Sequence, residues 1–102
     1  MQLGLKNKKV LISGSSRGIG FGIAERFCQE GAKVLINGRS EEDLRSSSKK
    51  LNDCLYVAGN VAKPESARFV VNSAQELLGG LDILICNVGK SASVPPGEET
   101  YS

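Results

Sequence analysis

Four short runs dense in Val, Ile and Leu punctuate the chain: KVLIS (9–13), KVLIN (33–37), CLYVA (54–58) and LDILIC (81–86). Runs this short and this continuously apolar are predicted to be strands covered on both faces, as in a parallel sheet. Helical spacing fills the intervals. Ile19, Ile23 and Phe27 recur every four residues, Ala24 and Cys28 widen that stripe, and Gly31 follows as a stop. Ser40 then heads a second helix, with Glu41, Glu42 and Asp43 in its first turn and Lys49 and Lys50 in its last. That order suits both a capping box and the helix dipole. Pro64 opens a third helix where a missing N–H costs nothing. Its Ala67, Val70, Val71, Ala74, Leu77 and Leu78 make one apolar face, and Gly79-Gly80 ends it.

The order β-α-β-α-β-α-β implies right-handed crossovers and a parallel sheet. The expected class is α/β, a Rossmann-like doubly wound sheet in the order 3-2-1-4 that stops after the fourth strand. At 102 residues the chain is read as one half-domain (1–102), with KSASVPPGEETYS (90–102) as an irregular tail. A formal charge of +2 and no long basic block argue against nucleic acid. Cys28, Cys54 and Cys86 are too widely spaced for zinc, no histidine helps them, and their apolar settings predict buried structural thiols. MQLGLKNKK has no signal-peptide core and no run reaches membrane-spanning length, which points to a cytoplasmic protein without a membrane partner.

Between the first strand and the first helix stands SGSSRGIGFGIA (13–24), where four of the 12 glycines fall. A helix start carries unpaired N–H groups and partial positive charge, which a phosphate satisfies if no Cβ blocks its approach. In this reading Gly14 makes the tight turn out of the strand, Gly18 admits a pyrophosphate, and Gly20 lets the helix lie close on the sheet. The spacing Gly-x3-Gly-x-Gly differs from the commoner G-x-G-x-x-G. The end of the second strand narrows the ligand. It reads Ile36-Asn37-Gly38-Arg39-Ser40, with no carboxylate placed to accept from a ribose 2′-OH. Arg39, with Arg17 converging from the glycine turn, offers a fork of donors suited to a 2′-phosphate. NADP(H) is therefore expected over NAD(H).

Ser13-Gly-Ser-Ser-Arg-Gly-Ile-Gly20 resembles the T-G-x-x-x-G-I-G signature of the short-chain dehydrogenase/reductase family. Gly59-Asn60-Val61 stands where that family has an Asp-Val touching the adenine. Leu81-Asp82-Ile83-Leu84 opens the fourth strand in its manner, and Cys86-Asn87-Val88-Gly89 replaces its N-N-A-G. The resemblance implies cofactor contacts from Gly14, Ser16, Arg17, Gly18, Ile19 and Gly20, from Arg39, from Asn60 and Val61, and from Asn87 and Gly89. Asn60 in place of Asp would accept from the adenine amino group without a charge. Asn87 and Gly89 would brace the sheet and border the nicotinamide ribose.

The family's catalytic Ser and Tyr-x-x-x-Lys cannot be assembled here. Tyr56 is followed at the matching interval by Asn60, Tyr101 is one residue from the end, and Lys90 is the last lysine. The expected function is thus the N-terminal NADP(H)-binding part of an oxidoreductase acting on a small carbonyl or alcohol substrate. A non-catalytic nucleotide-binding or interaction module is the alternative. An S-adenosylmethionine methyltransferase would call for an acidic ribose ligand where Arg39 stands. The fourth strand would be a free apolar edge, so the chain alone is expected to self-associate, swap elements or be marginally stable.

Overall fold

The central strand of the sheet is β1 (Lys9–Ser13), which pairs in parallel with β2 (Lys33–Gly38) on one side and β4 (Ile83–Cys86) on the other. β3 (Leu55–Ala58) adds to β2, giving the order β3-β2-β1-β4. The helices α1 (Gly18–Gln29), α2 (Glu41–Lys50) and α3 (Pro64–Leu78) connect them in turn. This computed structural model describes residues 4–14 and 18–87. The expected tail, 90–102, lies outside them. The doubly wound parallel sheet is the one the alternating pattern implies.

Alternation along β1 divides the core. Val10 and Ile12 face α1 and α2, in one cluster with Ala24, Val34, Ile36, Leu44 and Leu51. Leu11 faces the other way, with Leu35, against Val70, Ala74 and Leu78 of α3. The helices form where their capping chemistry allows. Ser40 Oγ accepts from the Asp43 N–H at 3.1 Å, as the capping-box order predicts. Pro64 stands at the start of α3, and Gly79 and Gly80 both donate to the Gln75 carbonyl at its end. Gly31, after α1, donates to the Cys28 carbonyl. Asp82 fixes the register of β4. Its N–H donates to the Lys9 carbonyl at 2.8 Å, and its Oδ2 accepts from the Lys9 N–H at 2.9 Å.

Some expectations need correction. β3 begins at Leu55 and β4 at Ile83, later than their apolar runs suggest, because Asp82 and Cys54 stand just before the paired register. The two outer strands are not covered on both faces: Leu55 is 39% and Leu84 48% exposed. A single helix, α3, lies on that side, against β1, β2 and β3, and leaves β4 and the first residue of β3 open. Ile19 is 77% exposed, since the first turn of α1 overhangs the end of the sheet. Leu77, at the margin of the α3 face, is 52% exposed. The three cysteines are half-buried free thiols, because each sits at the end of an element and not in its middle.

Leu35→Ala should therefore cost about 2–5 kcal/mol, as large-to-small changes in a filled core do. Leu77→Ala should stay within about 0.5 kcal/mol of the parent chain. Urea unfolding of the two variants measures both.

Candidate functional site

The C-terminal ends of all four parallel strands lie at one end of the sheet, and the singled-out residues gather there. Gly14, directly after β1, has a left-handed φ of +67°. A Cβ at this position would overlap the backbone carbonyl of Asn87 at the end of β4. The bare glycine thus lets two chains pass in contact. Asn87 makes use of that approach: its N–H donates to the Ser13 carbonyl at 3.2 Å and its Nδ2 to the Gly14 carbonyl at 3.4 Å. Asn87 ties β4 to the turn after β1.

Gly18 opens α1 with φ +70°, yet a Cβ there would meet nothing within 4 Å among the described residues. Among them, only the backbone conformation demands glycine at 18. Gly20 is buried where α1 lies on the sheet. Ile19 projects outward from the same turn. Ser16 and Arg17, and Gly89 beyond β4, lie outside the described residues.

The helix starts differ electrostatically. α2 carries Glu41, Glu42 and Asp43 in its first turn, and α3 carries Glu65. The first turn of α1 has no acidic residue. Its positive dipole end has no acidic residue in its own first turn to compensate it. Ser13 Oγ, on the α3 face of β1, is buried with no hydrogen-bond partner among the described residues. A glycine at the helix start and a first turn without an acidic residue fit an anionic ligand such as a pyrophosphate.

The β2 and β3 ends are joined by a residue the sequence reading passed over. Asn37 is buried, and its Nδ2 donates to the carbonyls of Val57 at 2.8 Å and Gly59 at 3.2 Å. The Gly59 N–H returns a bond to the Gly38 carbonyl at 2.9 Å. The available signal was a polar side chain closing the run KVLIN at a strand position that must be covered. Arg39 follows β2 and is exposed at this same end. Asn60 follows β3, but its Oδ1 already accepts from the Ala62 N–H at 3.0 Å, and its backbone carbonyl accepts from Lys63. Its side chain folds the loop into α3. Val61 is half-buried against the α3-side core. The structure therefore brings Gly14 and Asn87 into contact, with Gly18, Arg39 and Asn60 at the same end of the sheet.

A glycine-lined helix start at the end of a central parallel strand, beside the point where strand order reverses, defines a nucleotide-binding α/β protein. The family profile described as short chain dehydrogenase matches residues 8–100, and the chain belongs to that family. It is 38% identical over 93 residues to glucose 1-dehydrogenase of Gluconobacter oxydans, a match that covers 86% of this chain and 35% of the relative. The L-sorbose reductase of Gluconobacter frateurii, solved with NADPH and L-sorbose, superposes with a TM-score of 0.85 at 36% identity. That match covers 98% of this chain and 40% of the reductase. The 3-ketoacyl-(acyl-carrier-protein) reductase of Brucella melitensis, solved with NADH, gives a TM-score of 0.74 at 33% identity, covering 78% of this chain and 33% of that one. The chain spans about a third of the length of the curated relatives it matches. Among the described residues, no helix is long and apolar enough to cross a membrane.

The two glycines separate cleanly by experiment. Gly18→Ala meets only the left-handed backbone and should cost about 1–2 kcal/mol. Gly14→Ala carries the same strain and must also displace the Asn87 carbonyl, so it should destabilise more. Equal losses in denaturant unfolding would contradict the packing described for Gly14.

Proposed function

We propose that this chain is the NADP(H)-binding part of a short-chain oxidoreductase that moves a hydride between the nicotinamide and a small carbonyl or alcohol substrate. The observation that carries the reading is the open turn at Gly18 leading into α1, whose first turn lacks any carboxylate. The pyrophosphate belongs there, received by backbone N–H groups and reached by Ser16 and Ile19 from the same turn. Asn87 and Gly89 border the nicotinamide ribose, and Asn60 and Val61 border the adenine. Arg39, with Arg17 from the glycine turn, takes the 2′-phosphate. The cofactor, when bound, supplies the hydride donor or acceptor, while this chain binds and orients it. The groups that handle the substrate proton belong to the part of the relatives that this chain does not span. A cytoplasmic setting suits such an enzyme.

Relatives solved with NADPH and with NADH both belong to this fold, so the coenzyme preference rests on Arg39. A fluorescence titration should give tighter binding of NADPH than of NADH. Arg39→Asp removes a charge-assisted contact worth about 1.5–3 kcal/mol and should weaken NADPH by roughly tenfold to a hundredfold. It should leave NADH equal or better. Comparable affinities in the parent chain would refute the assignment of Arg39, and binding of neither would refute the site.

The open edge also governs association. Leu84 projects from β4 on the α3 side, in register with Leu11, and no strand pairs beyond it among the described residues. We propose that the isolated chain pairs with a second copy along this edge. Sedimentation should show concentration-dependent dimers, and Leu84→Lys should shift the chain to monomer.

A further inference from the structure

Cys28 and Cys54 reach the same space from different elements. Cys28 lies in the last turn of α1, one turn beyond Ala24, which is buried against the sheet. Cys54 immediately precedes β3. Carrying the Leu35–Leu55 register back one residue sets it beside Val34, on the face that α1 and α2 cover. Both cysteines pack against that core cluster, and both line one cleft of about 430 Å³, with Lys33, Leu51, Asp53 and Leu77. Both are free thiols. This cleft is at the N-terminal end of β2 and β3, the opposite end of the sheet from the glycine turn.

The surroundings select a class of ligand. Burial pushes both thiols above their ordinary range, Cys54 up to about 11, and charge on Cys28 adds to the rise at Cys54. Both are protonated at neutral pH and poorly placed to hold a bare cation. No group of three or more His, Cys, Asp or Glu among the described residues could complete a metal site. A neutral, thiol-seeking reagent that bridges two sulfurs needs neither a third ligand nor a buried charge.

We propose that Cys28 and Cys54 form a two-thiol site for trivalent arsenicals, R–As=O, lodged in the cleft between the end of α1 and the start of β3. Two As–S bonds form and two S–H bonds break. The oxygen leaves with both thiol protons as water, and arsenic stays trivalent, so no oxidant enters. No net proton is taken up or released, so affinity should stay level across the neutral range. The product staples α1 to β3.

Cys86 is the internal control. It pairs with Ser13 on the α3 side of the sheet, at the glycine-turn end. Phenylarsine oxide added to the whole chain should give one adduct by intact mass, at the reagent's mass less one water. Peptide mapping should place the arsenic between Cys28 and Cys54. Cys86→Ser should bind as the parent does. Cys28→Ser and Cys54→Ser should each lose about a hundredfold in affinity with the second sulfur, by the loss of effective concentration. An absent adduct, a bridge to Cys86, or undiminished binding in either single variant would overturn the proposal. The mapping is done on the unsubstituted chain, so it decides even if a variant fails to fold.

Discussion

The close passage of Gly14 against Asn87 is the contact on which the arrangement of this sheet turns. α1 and α2 lie on one face and α3 on the other, so the chain reverses direction across the sheet between β3 and β4. β4 must then settle on the free side of β1. At one end of that pair Asp82 bonds twice to Lys9, and at the other Asn87 bonds to Ser13 and Gly14. A side chain at 14 would occupy the space of the Asn87 carbonyl. The crevice where a doubly wound sheet binds its ligand opens at this junction, between the ends of strands whose helices depart to opposite faces.

Charge placement then separates the start of α1 from those of the other two helices. α2 answers its own dipole with Glu41, Glu42 and Asp43 and its own N–H groups with Ser40. α3 starts from a loop closed by Asn60, with Pro64 where a donor is not needed and Glu65 near the positive end. α1 brings glycine instead, and nothing acidic. The three helix starts therefore differ: α2 has a side-chain cap and three acidic residues, α3 a proline and one acidic residue, and α1 glycine and no acidic residue in its first turn.

Much of the fold was legible because the signals were local and consistent. KVLIS and KVLIN became the inner strands. Ser40 and Pro64 marked helix starts, and Gly31 and Gly79-Gly80 helix ends. The failures share a cause. Ile19 and Leu77 satisfy helical periodicity but stand where the helix outruns or only skirts the sheet beneath it. Leu55 and Leu84 are as apolar as their neighbours, yet one stands at the very start of an edge strand and the other on β4, which α3 does not cover. In the site, the glycine turn could be read from spacing. The role of Asn37 could not, because its partners, Val57 and Gly59, are 20 and 22 residues away.

The sequence by itself determined the element order, the parallel class and the glycine turn that marks one end of the sheet. Those follow from periodicity, capping and the steric demands of single residues, which need no knowledge of distant neighbours. Only the tertiary structure decided that Asn87 is the reason for glycine at 14, and that Asn60 spends its carbonyl on its own loop. It also set Cys28 and Cys54 on one cleft, with Cys86 apart. Each of these depends on which segments the crossovers bring side by side, and proximity in space is a property of the packed sheet that no local pattern encodes.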